Sequence, residues 1–293
     1  MLRHGYRVAI WGHGFDITFH GVRGSTPCHG DEVARYGGNT SCVSVDVPGH
    51  DPILFDLGTG ARYFGRQCDP NTPFRGSCLI THLHWDHVQG LPFFPPLLRA
   101  DSSIDLYAPI QEDGGSIDDV VRNALGPPMF PIGLDELPGH VSFHAKGDEE
   151  FSIGDVSVTS RLIPHVGHTL GYRLEFGGAS VAYLSDHQQP GVDVYEATDN
   201  ALELCAGVDL LIHDAQYNRA EFARKKDWGH CTVEYAAWIA STSNVAQLAL
   251  FHHDPNHDDD QVDAALAVAR KRCQGTGTDV VAASEGLTLH VGS

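Results

Sequence analysis

The chain has 293 residues and a hydrophobic content of 42%, enough for one large domain or two small ones with a sizeable core. Its 38 Asp and Glu outnumber 19 Lys and Arg, and the formal net charge of −19 argues against an extensive nucleic-acid-binding surface. Seven cysteines without a CxxC pair, and no apolar run of membrane-spanning length, predict a cytoplasmic protein without a membrane partner.

Residues 1–15 carry no motif, and we interpret them as a lead-in to a single domain over residues 16–293. From Asp16, alternating apolar residues predict a strand, which is followed by glycine-rich segments at residues 21–27 and 35–42. On physics alone, these segments are either ordinary hairpin turns or loops whose backbone amides approach an anion. Arg23 and Arg35 are candidate donors to a substrate phosphate.

The apolar run over residues 53–57 predicts a buried strand that ends near Asp56 and a glycine turn. At this position Asp56 could cap the helix that follows.

The densest group of polar side chains is His82-Leu83-His84-Trp85-Asp86-His87, directly after a second apolar run at residues 78–80. Side chains at i and i+2 of an extended segment project to the same side, so His82 and His84 can bind one ion together. A turn would then direct Asp86 and His87 towards a second ion. Imidazole and carboxylate ligands suit zinc-like ions, whereas a histidine-rich surface loop is the alternative interpretation.

This HxHxDH segment resembles the signature of the metallo-β-lactamase superfamily, whose members share an α/β fold, the four-layered αββα sandwich. The resemblance places His82 and His84 in metal site one, and Asp86 and His87 in metal site two. It also implies that Asp56 orients the metal-binding loop without binding metal itself.

Three further ligands follow from the same resemblance. His165 and His168 compete for one position, and the family spacing before a Gly-Tyr pair selects His165. Asp186 ends a predicted strand and matches the metal-bridging aspartate, although a strand-terminal Asp is by itself usually a turn residue. His252 follows the strand at residues 247–251 as the last ligand. The implied ligand set is His82, His84, Asp86, His87, His165, Asp186 and His252.

Asp214 and His230 form a candidate catalytic pair. Their surroundings, IHDAQY and WGHCT, resemble two motifs of the transfer-RNA 3′-processing nucleases, with Asp214 where those enzymes have Glu. The resemblance implies that His230, oriented by the acid, assists the leaving group. A hydrogen-bonded loop histidine without a catalytic role is the alternative, and the shorter acid leaves the geometry of the pair open.

Two other regions carry structural expectations. Residues 113–140 predict a helix and then an irregular segment, which either overhangs the site or only packs as a connection. Residues 258–273 predict a helix, and residues 280–291 predict one closing strand.

The resemblance covers residues 17–290 and implies a binuclear metal-dependent hydrolase. We expect two divalent ions, zinc with manganese or iron as alternatives, which lower the pKa of a shared water towards about 7 to give a hydroxide nucleophile. Asp86, Asp214 and His230 are the expected catalytic side chains. The expected substrate is a small phosphodiester such as a cyclic nucleotide; an RNase Z-like endonuclease and a lactone, thioester or β-lactam hydrolase are the alternatives. A homodimer is compatible with the sequence.

Overall fold

The computed structural model describes residues 14–292. The predicted lead-in therefore lies outside the described residues, apart from Gly14 and Phe15, which belong to the first strand. Gly14 is paired with Gly292, so the two ends of the described chain lie side by side in one sheet.

Fourteen strands follow one another along these residues: β1 (Gly14–Gly21), β2 (Cys42–Asp46), β3 (Ile53–Phe55), β4 (Arg75–Leu79), β5 (Ser103–Pro109), β6 (His140–Lys146), β7 (Glu149–Ile153), β8 (Val156–Ile163), β9 (Thr169–Phe176), β10 (Ala179–Leu184), β11 (Leu210–Asp214), β12 (Gln247–Phe251), β13 (Asp279–Ala282) and β14 (Thr288–Gly292). They form two seven-stranded sheets, with the orders β14-β1-β2-β3-β4-β5-β6 and β13-β12-β11-β10-β9-β8-β7. Each half of the chain therefore builds mainly one sheet, and β14 returns to the first.

The α-helices are α1 (Ala61–Gln67), α2 (Trp85–Val88), α3 (Ile117–Ala124), α4 (Asp199–Cys205), α5 (Arg219–Lys225), α6 (Val233–Thr242) and α7 (Asp259–Arg272). Residues of α1 and α3 pack on the outer face of the first sheet, and residues of α4, α6 and α7 pack on the outer face of the second. None of the helices within residues 14–292 is both long and apolar enough to cross a membrane.

The central core lies between the two sheets. Strand β10 illustrates the two-residue period, because Val181 and Tyr183 face the opposite sheet while Ala182 and Leu184 face the helices. All four side chains are fully buried. The molecule therefore has the layer order helix, sheet, sheet, helix, and the predicted αββα sandwich is confirmed.

The region over residues 113–140 is largely a packed connection. Helix α3 buries Ile117 and Val121 against the first sheet, and Leu134 lies in the same apolar cluster. Two side chains depart from this pattern: Met129 is 84% exposed, and the Phe130 ring contacts that of Phe93 at 5.7 Å between centroids. This region therefore packs mainly as a connection, and Met129 projects from it towards solvent.

The predicted helix at residues 258–273 corresponds to α7, whereas the single closing strand is wrong. Residues 280–291 contain parts of two strands, β13 and β14, which belong to different sheets. A turn separates them because Gly286 adopts a left-handed φ of 82° and the Glu285 carboxylate accepts hydrogen bonds from Asn39. An apolar pattern that continues across a turn cannot show this change of sheet.

Candidate metal centre

The candidate ligands meet where strands of both sheets end. Strands β3 and β4 are parallel, and so are β10, β11 and β12, so the polar residues after them reach one common edge of the sandwich. Asp56 and His252 directly follow the ends of β3 and β12, and Asp186 lies two residues after the end of β10. All three have left-handed φ values, of 57°, 57° and 58° respectively. This conformation costs about 1–3 kcal/mol for a residue other than glycine, and such strain is concentrated at functional sites.

Site one brings together His82, His84, His165 and one oxygen of Asp186. His165 Nε2 lies 3.2 Å from His84 Nδ1 and 3.5 Å from Asp186 Oδ2. His82 Nε2 lies 3.6 Å from the same oxygen. Four donor atoms therefore surround one point, as the ligand set of a single ion would.

Site two gathers Asp86, His87 and His252 around the other oxygen of Asp186. His87 Nε2 and His252 Nε2 lie 3.2 and 3.0 Å from Asp186 Oδ1. The same two nitrogens lie 3.3 and 3.2 Å from Asp86 Oδ2. Asp186 thus faces site one with one carboxylate oxygen and site two with the other, which is the arrangement of a bridging ligand.

These residues fit two transition-metal ions. A tetrahedral ion with bonds of about 2.1 Å separates its ligand atoms by about 3.4 Å, and the distances above lie near that value. The Nε2 atoms of His82 and His87 are buried and have no hydrogen-bond partner within the described residues. Buried polar atoms are rarely left unpaired, so a cation between these groups accounts for both nitrogens.

The charge states of His82, His165 and Asp186 also suit a cation. Burial holds the pKa of His82 well below its usual range and lowers that of His165 to about 4, so both imidazoles are neutral near pH 7. Burial opposes ionisation of Asp186, but the facing imidazoles of His252 and His87 outweigh it and hold the pKa of this carboxyl well below its usual range. Neutral imidazole and ionised carboxylate are the forms that bind metals.

Asp56 supports the centre from behind and makes no approach to the metal positions. Its carboxylate accepts a hydrogen bond from His87 Nδ1 at 2.7 Å and others from Thr81 and the Tyr183 hydroxyl at 2.9 Å. The alternative role as a helix cap is wrong, because α1 begins after Gly60 without a side-chain cap. Thr81 Oγ1 also lies 3.0 Å from His82 Nδ1, so one small network fixes two ligand rings.

Two more ligand histidines are held by partners that the sequence analysis missed. His165 Nδ1 donates to the Gly229 carbonyl at 2.7 Å, and His252 Nδ1 donates to Gln216 Oε1 at 3.0 Å. Both contacts leave the Nε2 lone pair directed at the metal position. Gln216 lies within the IHDAQY segment, two residues after Asp214. This position in the motif is the feature of the sequence that could have indicated its contact with His252.

Asp214 and His230 lie together beside the ligand cluster. His230 Nδ1 donates to Asp214 Oδ2 at 2.8 Å and lies 3.9 Å from Asp186 Oδ2. The shorter acid therefore does reach its histidine. Burial lowers the pKa of His230, but the charges of Asp214 and Asp186 outweigh it and raise that pKa above its usual value.

The other histidines near the site have partners elsewhere. His168 bonds to the Ile110 carbonyl, His253 to the Ala283 carbonyl and His257 to Glu221. His187 and His213 form a buried pair, with Nδ1 of the first 2.9 Å from Nε2 of the second. These contacts favour His165 over His168 as the ligand.

The expectation that Arg23 and Arg35 bind a substrate phosphate is wrong. Arg23 is fully buried and donates to the backbone carbonyls of Gly37, Asp254 and His257. Arg35 pairs with carboxylates of α7, including Asp263 at 2.7 Å. Both guanidinium groups connect loops to the rest of the fold. Most of their partners lie more than 200 positions away in the sequence, so a local sequence pattern could not indicate these contacts.

Comparisons with known proteins agree with this geometry. Residues 53–253 match the family described as beta-lactamase superfamily domain. A Ribonuclease Z from Synechococcus sp. (strain CC9311) is 27% identical over 287 residues, covering 82% of this chain and 88% of that protein. A Ribonuclease Z from Natronomonas pharaonis is 27% identical and covers 80% and 86% of the two chains.

Solved structures share the fold. The metallo-beta-lactamase fold protein YhfI from Bacillus subtilis superimposes with a TM-score of 0.67 at 18% identity, covering 94% of this chain and 98% of that one. The short form of human tRNase Z gives a TM-score of 0.65 at 20% identity with the same coverage. A diphosphatase from the PhnP family gives 0.62 at 18% identity, covering 94% and 97%.

The family match spans more than half of the chain and includes all seven candidate ligands. The resemblance drawn from the HxHxDH segment is therefore confirmed, and with it the expectation of a hydrolase that uses divalent metal ions. The chain belongs to the beta-lactamase superfamily and is a metal-dependent hydrolase.

Proposed function

We propose that this hydrolase is a binuclear phosphodiesterase that cleaves small phosphodiesters, with cyclic nucleotides as the first class to test. The observation that carries the proposal is the Asp214–His230 pair, whose 2.8 Å hydrogen bond lies beside Asp186, the candidate bridging ligand of the two sites. A phosphodiester has a poor leaving group, so a proton donor next to the metal centre suits this reaction.

His82, His84 and His165 would hold one ion, and Asp86, His87 and His252 the other, with Asp186 between them. When bound, the two ions supply Lewis acidity and activate water for attack at neutral pH. Zinc suits this set of imidazole and carboxylate ligands, and manganese or iron are the alternatives. Asp86 also accepts a hydrogen bond from the Ser25 backbone N–H at 2.7 Å, which fixes its orientation.

His230 is the proposed general acid. Asp214 accepts the Nδ1 proton, which leaves Nε2 to carry the proton that the departing alkoxide receives. No hydrogen bond to His230 Nε2 forms within residues 14–292, whereas Nδ1 is fully engaged. Asp214 also stabilises the charged imidazole and keeps the ring in the orientation that faces the site.

The preference for small substrates rests on charge. A long RNA requires several phosphate contacts from basic side chains, and this chain has 19 Lys and Arg against 38 Asp and Glu. Arg23 and Arg35 are engaged within the fold, so most of the binding energy for a phosphate would come from the metal centre itself.

An RNase Z-like endonuclease is the second candidate, and its support is direct. The curated relatives named above are called Ribonuclease Z, and each is matched over more than four fifths of its length. The paired motifs around Asp214 and His230 resemble those of such nucleases. The two candidate functions therefore differ in the size of the substrate, a small phosphodiester in one case and a long RNA in the other.

One experiment separates them. Purified protein reconstituted with zinc or manganese is assayed on cyclic nucleotides, a nitrophenyl phosphodiester, lactones, thioesters and a precursor transfer RNA, at 50 and 200 mM salt. The proposal predicts turnover of small diesters with a weak salt dependence of kcat/KM. Each phosphate contact to RNA steepens the salt dependence, so a loss of about 10³-fold or more over this range would indicate an extended RNA footprint. Efficient RNA cleavage with that slope favours the nuclease, and a preference for carbon esters contradicts both.

A further inference from the structure

A cavity of about 500 Å³ lies between α1 and the short helical turn at Leu91–Phe93. Its lining includes Pro27, Thr59, Arg62, Tyr63, Gly90 and Phe93. The volume falls within the range of about 300–1,000 Å³ that is usual for small-molecule sites.

The cavity is connected to site two by short backbone links. Gly90 lies just after α2, the helix that carries Asp86 and His87, and its N–H donates to the Leu57 carbonyl at 2.8 Å. On the other side, Pro27 is two residues from Ser25, whose N–H donates to Asp86 Oδ2 at 2.7 Å. A molecule in the cavity would therefore lie next to the ligands of site two.

The side chains around the cavity suit a flat aromatic group. Phe93 is 58% exposed and Tyr63 is 43% exposed, so both rings have surface available to a bound molecule. The Arg62 guanidinium lies 5.9 Å from the centroid of the Tyr63 ring. Within residues 14–292 Arg62 has no carboxylate partner, in contrast to six other arginines of this acidic chain, Arg35, Arg99, Arg122, Arg161, Arg173 and Arg219.

We propose that this cavity binds the nucleobase of the substrate, an inference that rests on the proposed phosphodiesterase function. The base would stack on Phe93 and Tyr63, and Arg62 would contribute a positive charge over the aromatic faces. A saturated apolar group would gain nothing from Arg62, and a bare phosphate would gain nothing from the two rings. The combination therefore favours a base attached to a phosphodiester.

Other exposed aromatic residues provide an internal comparison. Trp85 is 52% exposed and Trp228 is 62% exposed, and each adjoins a residue at site one, His84 and Gly229 respectively. Neither tryptophan lines the cavity. A base bound on the site-one side would depend on these tryptophans instead of Phe93 and Tyr63.

The test compares a nucleoside 2′,3′-cyclic phosphate with the corresponding base-free ribose cyclic phosphate. Stacking on an aromatic side chain is worth about 1–3 kcal/mol per base, so Phe93→Ala and Tyr63→Ala should each lower kcat/KM for the nucleotide by about 5- to 150-fold. The loss should be in KM, because stacking on a base that does not itself react stabilises ground and transition states alike. The base-free substrate should be affected far less, and Tyr63→Phe should retain most of the activity.

Met129→Ala is the matched control, since Met129 is the most exposed of these large apolar side chains and does not line the cavity. An equal loss on both substrates, no loss on either, or a selective loss in Trp85→Ala or Trp228→Ala instead would overturn the subsite. Binding of adenosine 5′-monophosphate, measured by calorimetry, is a separate readout. If the enzyme cleaves neither diester, the proposed function fails. Nucleotide binding that is weakened by Phe93→Ala and Arg62→Gln would still support the subsite. Absence of nucleotide binding would overturn the subsite.

Discussion

The contact between His230 and Asp214 makes His230→Ala the most informative substitution. His230 is only 6% exposed, its Nδ1 is engaged by Asp214, and it lies beside the proposed bridging ligand. A positioned general acid contributes about 10²- to 10⁴-fold, so kcat on a diester with an alkoxide leaving group should fall by that factor, or about 3–5 kcal/mol. A nitrophenyl diester needs little protonation of its leaving group and should lose much less. The measurement is the dependence of kcat on leaving-group basicity, which should become steeper in the variant.

Two controls accompany this substitution. Removing His230 leaves the Asp214 carboxylate buried without its cationic partner, which can destabilise the fold by about 3–5 kcal/mol. The double variant with Asp214→Asn removes that charge, and should recover thermal stability without recovering activity. Metal content must remain unchanged, because Asp186, Asp214, His230 and His252 could also hold an ion between them. Equal losses on both esters, or loss of metal, would refute the general-acid role.

Three further predictions follow from individual contacts. Asp56→Asn should weaken metal affinity by about 10- to 100-fold in a chelator competition, because it removes the carboxylate that orients His87; unchanged affinity would contradict this. Gly24→Ala should lower the metal content from two ions to one, because the added Cβ would lie 2.5 Å from ring atoms of His252. A metal content of two ions in this variant would show that the His252 ring can move aside and would contradict the prediction. Burial lowers the pKa of His20 to about 4 from 6.5, so the unfolded chain takes up its proton first and stability should fall by about 3 kcal/mol as pH decreases from 6.5 to 4. The free energy of unfolding of His20→Gln, measured with denaturant, should lack this part of the pH dependence. If its dependence on pH runs parallel to that of the parent protein, the prediction is refuted.

The structure brings together the candidate ligands that are close in the sequence or placed at strand ends. His82, His84, Asp86 and His87 are separated by only a few positions, so strand geometry and the resemblance were sufficient to divide them between two sites. The αββα layers likewise follow from buried strands in both halves of the chain.

Contacts between distant segments could not be predicted in this way. Tyr183 reaches Asp56 across 127 positions, and nothing local to either residue indicates the hydrogen bond. Arg23 lies in a glycine-rich loop that is compatible with anion binding, but its Nη1 donates to carbonyls more than 230 positions away. Left-handed turns at Asp186 and His252 are equally hidden, since neither residue type requires that conformation.

The most direct test of the account is an anomalous-diffraction map of zinc-reconstituted crystals recorded at the zinc absorption edge. We expect two peaks, one among His82, His84 and His165 and the other among Asp86, His87 and His252. Asp186 should contribute one carboxylate oxygen to each. A single peak, or a peak held by Asp214 and His230, would contradict the two-metal centre and the role of His230 as a proton donor.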